Sequence, residues 1–599
     1  MTADAVRLGG GMGNIQRGDT LGITGTQDIW NSPRLTVSGL PRYLEGARYY
    51  TQWAGMPYRI YGTKNSQNDY GEDINARSLG LNHLARGSVF MPNDTLPGLK
   101  VPLELSLAVH SDAGLRKNMD IVGSLGIYTT QFYDGRLATG LSRLASRDLA
   151  EVMLSQVTGD MQRSFGCWTR RQLYDRNYSE SREPQIPSMI LEMFSHQNYA
   201  DMLMGHDPLC KFIFSRAVYK AVLRYISYMH GVKSPVVQPL PVHGLSAQMD
   251  AKIQTITLRW HQTRDSLEAT AAPTSYILYT AKGNDGGWSN GMLVEDSMVT
   301  VPAEPGTLYR FKVTALNTGG QSMPSAEVCA RCPIDTLSSS IMIINGFNRM
   351  AAPQAVCNDS IRAFDVTVDP GLGYISNPSI YSLGGENIAG NSFNYPTLHA
   401  KDFLQADSLG HATLDIAVSS CTADALADVD LTDYNMADVI LGAQRNDCYS
   451  HRDYTAFTPA LMQSLKAYHE NGGRLLVSGA YIGEDLQNDD QKDFAHDVLK
   501  FKFSGQVATD SLIVSNQELS FSLISKPNRQ IYSTARVNAL TPVGTAFTTL
   551  LYNGEQAAAV AYKKGNQSIF TFGFPLELIA SEQARRKIMT TAYYFLCKD

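Results

Sequence analysis

Leu105-Ser106-Leu107-Ala108-Val109-His110-Ser111-Asp112-Ala113 is an apolar run that stops on an imidazole and passes into small polar residues. The pattern predicts a buried strand over residues 103–109 with His110 at its carboxyl edge, where ligand sites form in α/β sheets. A second run, Pro187-Ser188-Met189-Ile190-Leu191-Glu192-Met193-Phe194, predicts another buried strand, this one ending on a carboxylate. His110 alone would say little. Paired with Glu192 it supplies the parts of a metallohydrolase, in which a metal polarises a carbonyl and acidifies its water while the carboxylate handles the proton. Both groups are then expected at one sheet edge.

Outward from these strands the apolar spacing turns helical. Leu141, Leu144, Ala145, Leu149, Val152 and Met153 predict a helix over 141–154, and Phe212, Ile213, Ala217, Val218, Ala221, Val222 and Ile226 predict one over 209–229. With a further strand at 124–129, strands and helices alternate, so residues 15–232 read as an α/β domain with a largely parallel sheet. Residues 233–241 carry three prolines and read as a linker. The texture then becomes all-β, with period-two segments at 255–260, 275–280, 298–301 and 309–316. From residue 336 to 599 the α/β pattern returns as a doubly wound sheet. Its expected strands are 341–345, 439–441 and 475–478, with an amphipathic helix at 458–471 closed by Gly472-Gly473 and a hairpin around Lys563-Lys564-Gly565-Asn566.

A chain of 599 residues has room for several cores, and 43% hydrophobic with 18% charged residues is a globular composition. No apolar run approaches the roughly 18 residues of a membrane span. The net charge of −6 comes without a basic cluster, so nucleic acid is not the expected partner. Eight cysteines are too few for a disulfide scaffold, and Cys329-x-x-Cys332 lacks a second pair at zinc-ribbon spacing, so both read as surface or strand-end residues. The opening residues have neither a basic n-region nor an apolar h-region, so no export signal is visible.

Between residues 233 and 335, Trp260 and the strand Tyr309-Arg310-Phe311-Lys312-Val313-Thr314-Ala315 followed by Asn317-Thr318-Gly319-Gly320 resemble a fibronectin type III domain. The resemblance makes Tyr309 the tyrosine-corner residue and Trp260 a core residue.

Residues 15–232 resemble the zinc-dependent N-acetylmuramoyl-L-alanine amidases of the amidase-3 type. His110-Ser111-Asp112-Ala113 matches the family's H-A-[ND]-A zinc segment, and Arg77 and Asn82 match its R-x-x-x-x-N helix. Glu192 falls on the catalytic glutamate, and Ser195 with Asn198 to Leu203, including Asp201, matches S-N-x-x-D-x-x-L. The resemblance implies a Zn²⁺ cofactor held by His110, with Glu192 as the catalytic acid and base. Arg77, Asn82 and Asp112 become structural or substrate-side residues. It also departs from the family. The first zinc histidine has no counterpart before His110, where only His83 occurs, within the Asn82 helix. Glu45 is the nearest candidate for the glutamate ligand, and a solvated helix-start acid is the other reading of it. His196 and His206 read as surface loop residues.

Residues 1–14, with Gly9-Gly10-Gly11, resemble the last strand of a golvesin-type β-module inserted in amidase-like proteins of Bacteroidetes, some of them labelled xanthan lyases. On that reading the first strand and zinc histidine precede Met1. Leu475-Leu476-Val477-Ser478-Gly479-Ala480-Tyr481 resembles the nucleophile turn of glutamine-amidotransferase-like folds, with Ala480 where a cysteine would act, and Cys421, Cys448, His399 and His451 show no dyad spacing. The expectation is a periplasmic, cell-surface or secreted hydrolase acting on peptidoglycan. The rival is a non-catalytic protein that binds peptidoglycan or another cell-surface glycan on a degenerate amidase scaffold.

Overall fold

The computed structural model describes residues 46–598 apart from 66–67, 93–94, 118, 284–286, 350–352, 366–393, 405–413 and 527–530. The chain is multidomain and sheet-rich. The golvesin-like stretch 1–14 and Glu45 lie outside the described residues.

The first region holds helices α1 (Ala47–Trp53), α2 (Tyr58–Tyr61) and α3 (Asp69–Ala85), then β1 (Ser106–Asp112), β2 (Leu125–Tyr128), α4 (Leu144–Phe165), β3 (Tyr174–Asp175), α5 (Ser179–Arg182), β4 (Ser188–Ser195), α6 (Tyr199–His206) and α7 (Pro208–Met229). Its sheet runs β1-β4-β2-β3, with β1 parallel to β4 but β2 antiparallel to it. The expected largely parallel sheet is therefore a mixed one. Apolar runs mark strands buried on both faces but carry no direction, and direction is where the sequence reading failed.

Alternation along β4 sends Met189 and Leu191 to one face, where they pack with Leu149, Met153 and Val157 of α4 and Phe214, Ala217 and Tyr225 of α7. Each of the larger side chains contributes about 1.5–3 kcal/mol by leaving water. Ile190 takes the other face with Leu125 and Ile127, and Glu192, in register with Leu125 and His110, shares that face. Inside the α4–α7 seam, Lys220 and Asp160 form a fully buried ion pair at 2.7 Å, and Gln156 donates to the same Asp160 oxygen.

The stretch expected as a linker is packed down. Val237 is buried, its carbonyl accepts from Asn317, and Arg216 of α7 donates to the Gln238 carbonyl. The sandwich comprises β5 (His243–Asp250), β6 (Thr255–His261), β7 (Ser275–Lys282), β8 (Met292–Val294), β9 (Met298–Pro302), β10 (Leu308–Asn317), β11 (Gly320–Gln321) and β12 (Val328–Arg331). Trp260 lies in its core, and the Tyr309 hydroxyl accepts the Glu304 backbone N–H at 2.9 Å, tying the strand to the turn before it. Cys329 and Cys332 are fully buried rather than surface residues, because β12 pairs with β10 on one side and with the next region on the other.

That region contains β13 (Ser340–Asn345), the hairpin β14 (Gln354–Cys357) and β15 (Arg362–Asp365), α8 (Tyr395–Leu404), β16 (Ala417–Thr422), β17 (Met436–Gly442), α9 (Pro459–Glu470), β18 (Arg474–Gly479) and α10 (Asp489–Asp497). It continues with β19 (Phe501–Ala508), β20 (Ile513–Ser515), β21 (Ser520–Ser522), β22 (Arg536–Pro542), β23 (Phe547–Tyr552), β24 (Gln556–Lys564), β25 (Gln567–Phe572) and α11 (Glu582–Cys597). β16, β13, β17, β18 and β25 run parallel in that spatial order, with β24 antiparallel beyond β25. Ile341 and Ile343 pack with α8 and α11, whereas Met342 and Ile344 pack with α9 and α10, so helices cover both faces. β16 also pairs antiparallel with β5, which joins the sandwich edge to this sheet and covers both edges.

Candidate functional site

His110 and Glu192 are direct register partners on parallel neighbours β1 and β4. Partners at one register position lie about 4.8 Å apart along the sheet and project from the same face. The two strand-end groups therefore share one edge and one face, and a bulge follows immediately between His110 and Asp112. One carboxyl oxygen of Glu192 is buried and has no hydrogen-bond partner among the described residues. Burial raises the Glu192 carboxyl above its ordinary pKa; His110 and Arg171 pull it down, while Asp112 and Glu180 add to the rise.

The residue that completes the arrangement was not among the expected ones. Glu180, on the short helix α5, places one oxygen 2.9 Å from His110 Nε2, while Arg77 Nη1 lies 3.4 Å from the other. This hydrogen bond raises the His110 pKa against the opposing effect of burial. Burial pushes Glu180 up, but the contacts with His110 and Arg77 outweigh it and hold the carboxyl below its usual range. In sequence Glu180 is an acid in the polar stretch Tyr178-Ser179-Glu180-Ser181, with no apolar period around it to mark a site.

Its position is fixed from two sides. From α3, Ser78 donates to the Ser179 carbonyl, Asn82 Nδ2 donates to the Glu183 carbonyl at 2.8 Å, and Asn82 Oδ1 accepts from Gln185 N–H. From the start of α4, the fully buried Arg143 donates to the carbonyls of Ser181, Arg182 and Pro184. A buried guanidinium with no carboxylate partner in that set spends its donors on backbone, and burial lowers its pKa. Arg77 meanwhile pairs with Asp73 one turn away at 3.0 Å. Arg77 and Asn82 thus hold the segment that carries Glu180.

Asp112 accepts from Ala113 N–H and pairs with Arg171 at 2.6 Å. Asp201 accepts from the backbone N–H groups of Val122, Gly123 and Ser195, and Asn198 bridges Asp201 to the Asp120 carbonyl. That buried network pins the loop after β1 to the end of β4. His196 is exposed and hydrogen-bonds Ser111 at 3.1 Å, whereas His206, at the end of α6, is half-buried. His206 packs edge-on against Phe364 of β15, and burial pushes its pKa down to about 4.

For a divalent metal the donor types fit: an imidazole nitrogen and a carboxylate oxygen converge, with an unpartnered carboxylate oxygen nearby. Among the described residues no group of three histidine, cysteine, aspartate or glutamate side chains converges. At the turn after β18, Ala480 is buried and donates its N–H to Gly442, and no cysteine there meets a histidine: His399 pairs with Asp438 and His451 with Asp207.

No family model and no curated protein matches the chain. Among solved structures it is similar to the N-acetylmuramoyl-L-alanine amidase from Clostridium difficile 630, at 16% identity over 21% of this chain and 58% of that one, with a TM-score of 0.17. It is also similar to domains A168–A170 of titin, at 24% identity over 15% of this chain and 30% of that one (TM-score 0.14), and to the FN5 domain of Drosophila Lar, at 18% identity over 16% and 97% (TM-score 0.13). The chain thus spans under a third of the titin fragment. No helix among the described residues is long and apolar enough to cross a membrane.

Proposed function

We propose that the chain is a cell-wall hydrolase that cleaves the amide between N-acetylmuramic acid and L-alanine, with residues 15–232 as the amidase-like domain, 233–335 as a fibronectin type III spacer and 336–599 as a non-catalytic α/β domain. The observation that carries this reading is the pairing of His110 and Glu192 in register, with one Glu192 oxygen buried and unpartnered. Zn²⁺ bound through His110, with Glu45 proposed as a further ligand, would polarise the scissile carbonyl and acidify a water. Glu192 takes up a proton and returns it to the leaving amine, a role suited to a carboxyl that burial has raised above its ordinary pKa. Glu180 and Arg77 keep the His110 ring oriented, and Asp112 with Arg171 borders the site. The proposed partner is peptidoglycan, and the proposed setting is periplasmic, cell-surface or secreted.

The second reading is a non-catalytic protein that binds peptidoglycan or another cell-surface glycan on a degenerate amidase scaffold. One experiment separates the two. Purified chain supplied with zinc is incubated with peptidoglycan, and newly freed L-alanine amino groups are counted. Glu192→Gln keeps the shape but cannot take the proton, so turnover is expected to fall about 10²- to 10⁴-fold with zinc binding unchanged. Saccharide binding with no released amine in the unaltered chain would select the second reading.

A further inference from the structure

We infer that the cleft where the three regions meet is a binding site for an organic anion, a molecule with an apolar face and at least one phosphate or carboxylate group. It is separate from the His110 edge, because α4 and α7 cover the sheet face opposite to Glu192. The inference therefore stands whether or not the chain is a hydrolase. Four observations carry it.

The first is shape. A cavity of about 810 Å³ is walled by the end of α4, the outer face of α7, the loop after β6 and the loops after β16 and β17. Small-molecule sites have this size. The second is charge. The chain as a whole carries −6, yet the cationic side chains Arg163, Arg216, Lys220, Arg264 and Arg452 outnumber the acids Asp160, Asp265 and Asp424 around this one cavity. Arg216 is spent on Asp265 at 2.9 Å, and Arg163 shares Asp160 with Lys220. Arg264 from the sandwich and Arg452 from the third region have no ion pair or side-chain hydrogen bond among the described residues. An oxyanion is the group that guanidiniums recognise, through paired N–H donors.

The third is an unspent donor inside the protein. Lys220 is 1% exposed and lines the cavity, and its only ion pair among the described residues is with Asp160. An ammonium has three N–H donors, so at least two of them lack an acceptor there, which a buried donor does not tolerate cheaply. The fourth is the order of residues along α7. Leu209, Phe212, Ile213, Arg216 and Lys220 recur at helical spacing on one face, apolar in the first turns and cationic in the next, and Phe212 is left 39% exposed. A ligand with its apolar part on Phe212 and its anionic group toward Lys220, Arg264 and Arg452 matches that order. A merely water-filled seam would explain the volume but not the unpaired guanidiniums beside an exposed phenyl ring.

The test uses the full 599-residue chain at low salt, titrated by calorimetry with phenyl phosphate, with benzoate and with benzamide, the neutral isostere of benzoate. One equivalent of a charged probe is expected to bind and benzamide to fail, with the charged probes weakened as salt rises from about 0.02 to 0.2 M. Arg264→Gln and Arg452→Gln should each lower the affinity at least about fivefold, and Phe212→Ala at least about threefold. Each variant is compared only after its melting temperature shows it folded, and the two arginines, being exposed and unpaired, are the substitutions least able to unfold the chain. Tighter binding of phenyl phosphate supports a phosphate ligand and tighter binding of benzoate a carboxylate, either within the inference. No saturation by either charged probe up to about 10 mM overturns it, a limit set by what so few atoms can contribute. Benzamide binding as well as benzoate, or affinities in both arginine variants within twofold of the unaltered chain, overturns it too.

Discussion

His110 and His399 each lie between two carboxylates, the first beside Glu180 and Glu192 at the end of β1, the second between Asp438 of β17 and Glu577. The side chain of His110 is 33% exposed, and that of His399 is fully enclosed. His399 Nδ1 meets Asp438 at 2.7 Å, Nε2 lies 3.5 Å from Glu577, and Tyr532 donates to the other Glu577 oxygen at 2.7 Å. Together these contacts tie α8, β17 and the turn at Glu577 into one core, with no route for a substrate. At His110 the imidazole is partly exposed, and a Glu192 oxygen has no hydrogen-bond partner among the described residues. A histidine beside two carboxylates therefore serves cohesion in one place and offers chemistry in the other, and access makes the difference, because Asp438 in the sealed cluster also keeps a buried oxygen without a hydrogen-bond partner.

The largest way to break this comparison is to remove one member from each cluster. Asp438→Ala leaves a fully buried imidazolium with one partner and is expected to cost about 3–5 kcal/mol in urea unfolding. His110→Ala, at a partly exposed strand end, is expected to stay within about 1 kcal/mol of the unaltered chain. Equal costs would make the His110 cluster a structural one and remove the contrast.

A pH series sharpens it further. Burial alone would lower the His399 pKa, but Asp438 and Glu577 outweigh burial and raise it to about 10. Its unfolded value is about 6.5, so the stabilisation is complete below about pH 6.5 and is lost as pH rises toward 10. The urea midpoint should fall between pH 7 and pH 9.5, and the slope should flatten in His399→Gln. The variant separates this effect from the buried thiols of Cys329 and Cys421, which burial also keeps protonated. His206 has the opposite sign. Burial holds it near 4, so its stabilisation is complete above about pH 6.5 and is lost as pH falls toward 4.

How much of this was legible depended on what kind of signal each residue leaves. Leu107 to His110 and Met189 to Glu192 were readable because an apolar run that ends on a polar group marks a strand end, which put both groups at one sheet edge, whereas their direct register partnership was not legible. Tyr309 was readable because its strand and the turn after it resemble those of a fibronectin type III domain, and its hydroxyl does bind the turn before it. The antiparallel course of β2 was not, because Ser124 to Thr129 looks the same in either direction. Glu180 was not, because its place is set by Ser78, Asn82 and Arg143, contacts made across gaps of tens of residues to its own short segment. The proline-rich 233–241 stretch looked like a spacer because proline breaks regular structure, but a segment without regular structure can still pack, as Val237 does.

The smallest expected effect concerns the seam between the two histidine-bearing regions, where Asp207 has two duties. One oxygen accepts the Leu209 N–H and caps α7, and the other accepts the His451 N–H at 2.9 Å and lies 3.1 Å from its Nδ1. Arg349, after β13, adds a donor to the His206 carbonyl at 3.3 Å. Asp207→Ala removes the cap and the link together and is expected to cost about 1–2 kcal/mol. Asp207→Asn has a single carbonyl oxygen for two groups of acceptor duties, so it should retain the cap, lose the bond to His451, and cost about half as much. Tryptophan fluorescence reports the α4–α7 region through Trp168, which packs beside Phe214. If Asp207→Asn matches the unaltered chain while Asp207→Ala loses the full cap energy, the contact with His451 carries no stability. The open and sealed histidine clusters would then belong to regions that unfold independently, whereas a measurable loss in the asparagine variant would show that the sealed one steadies the other.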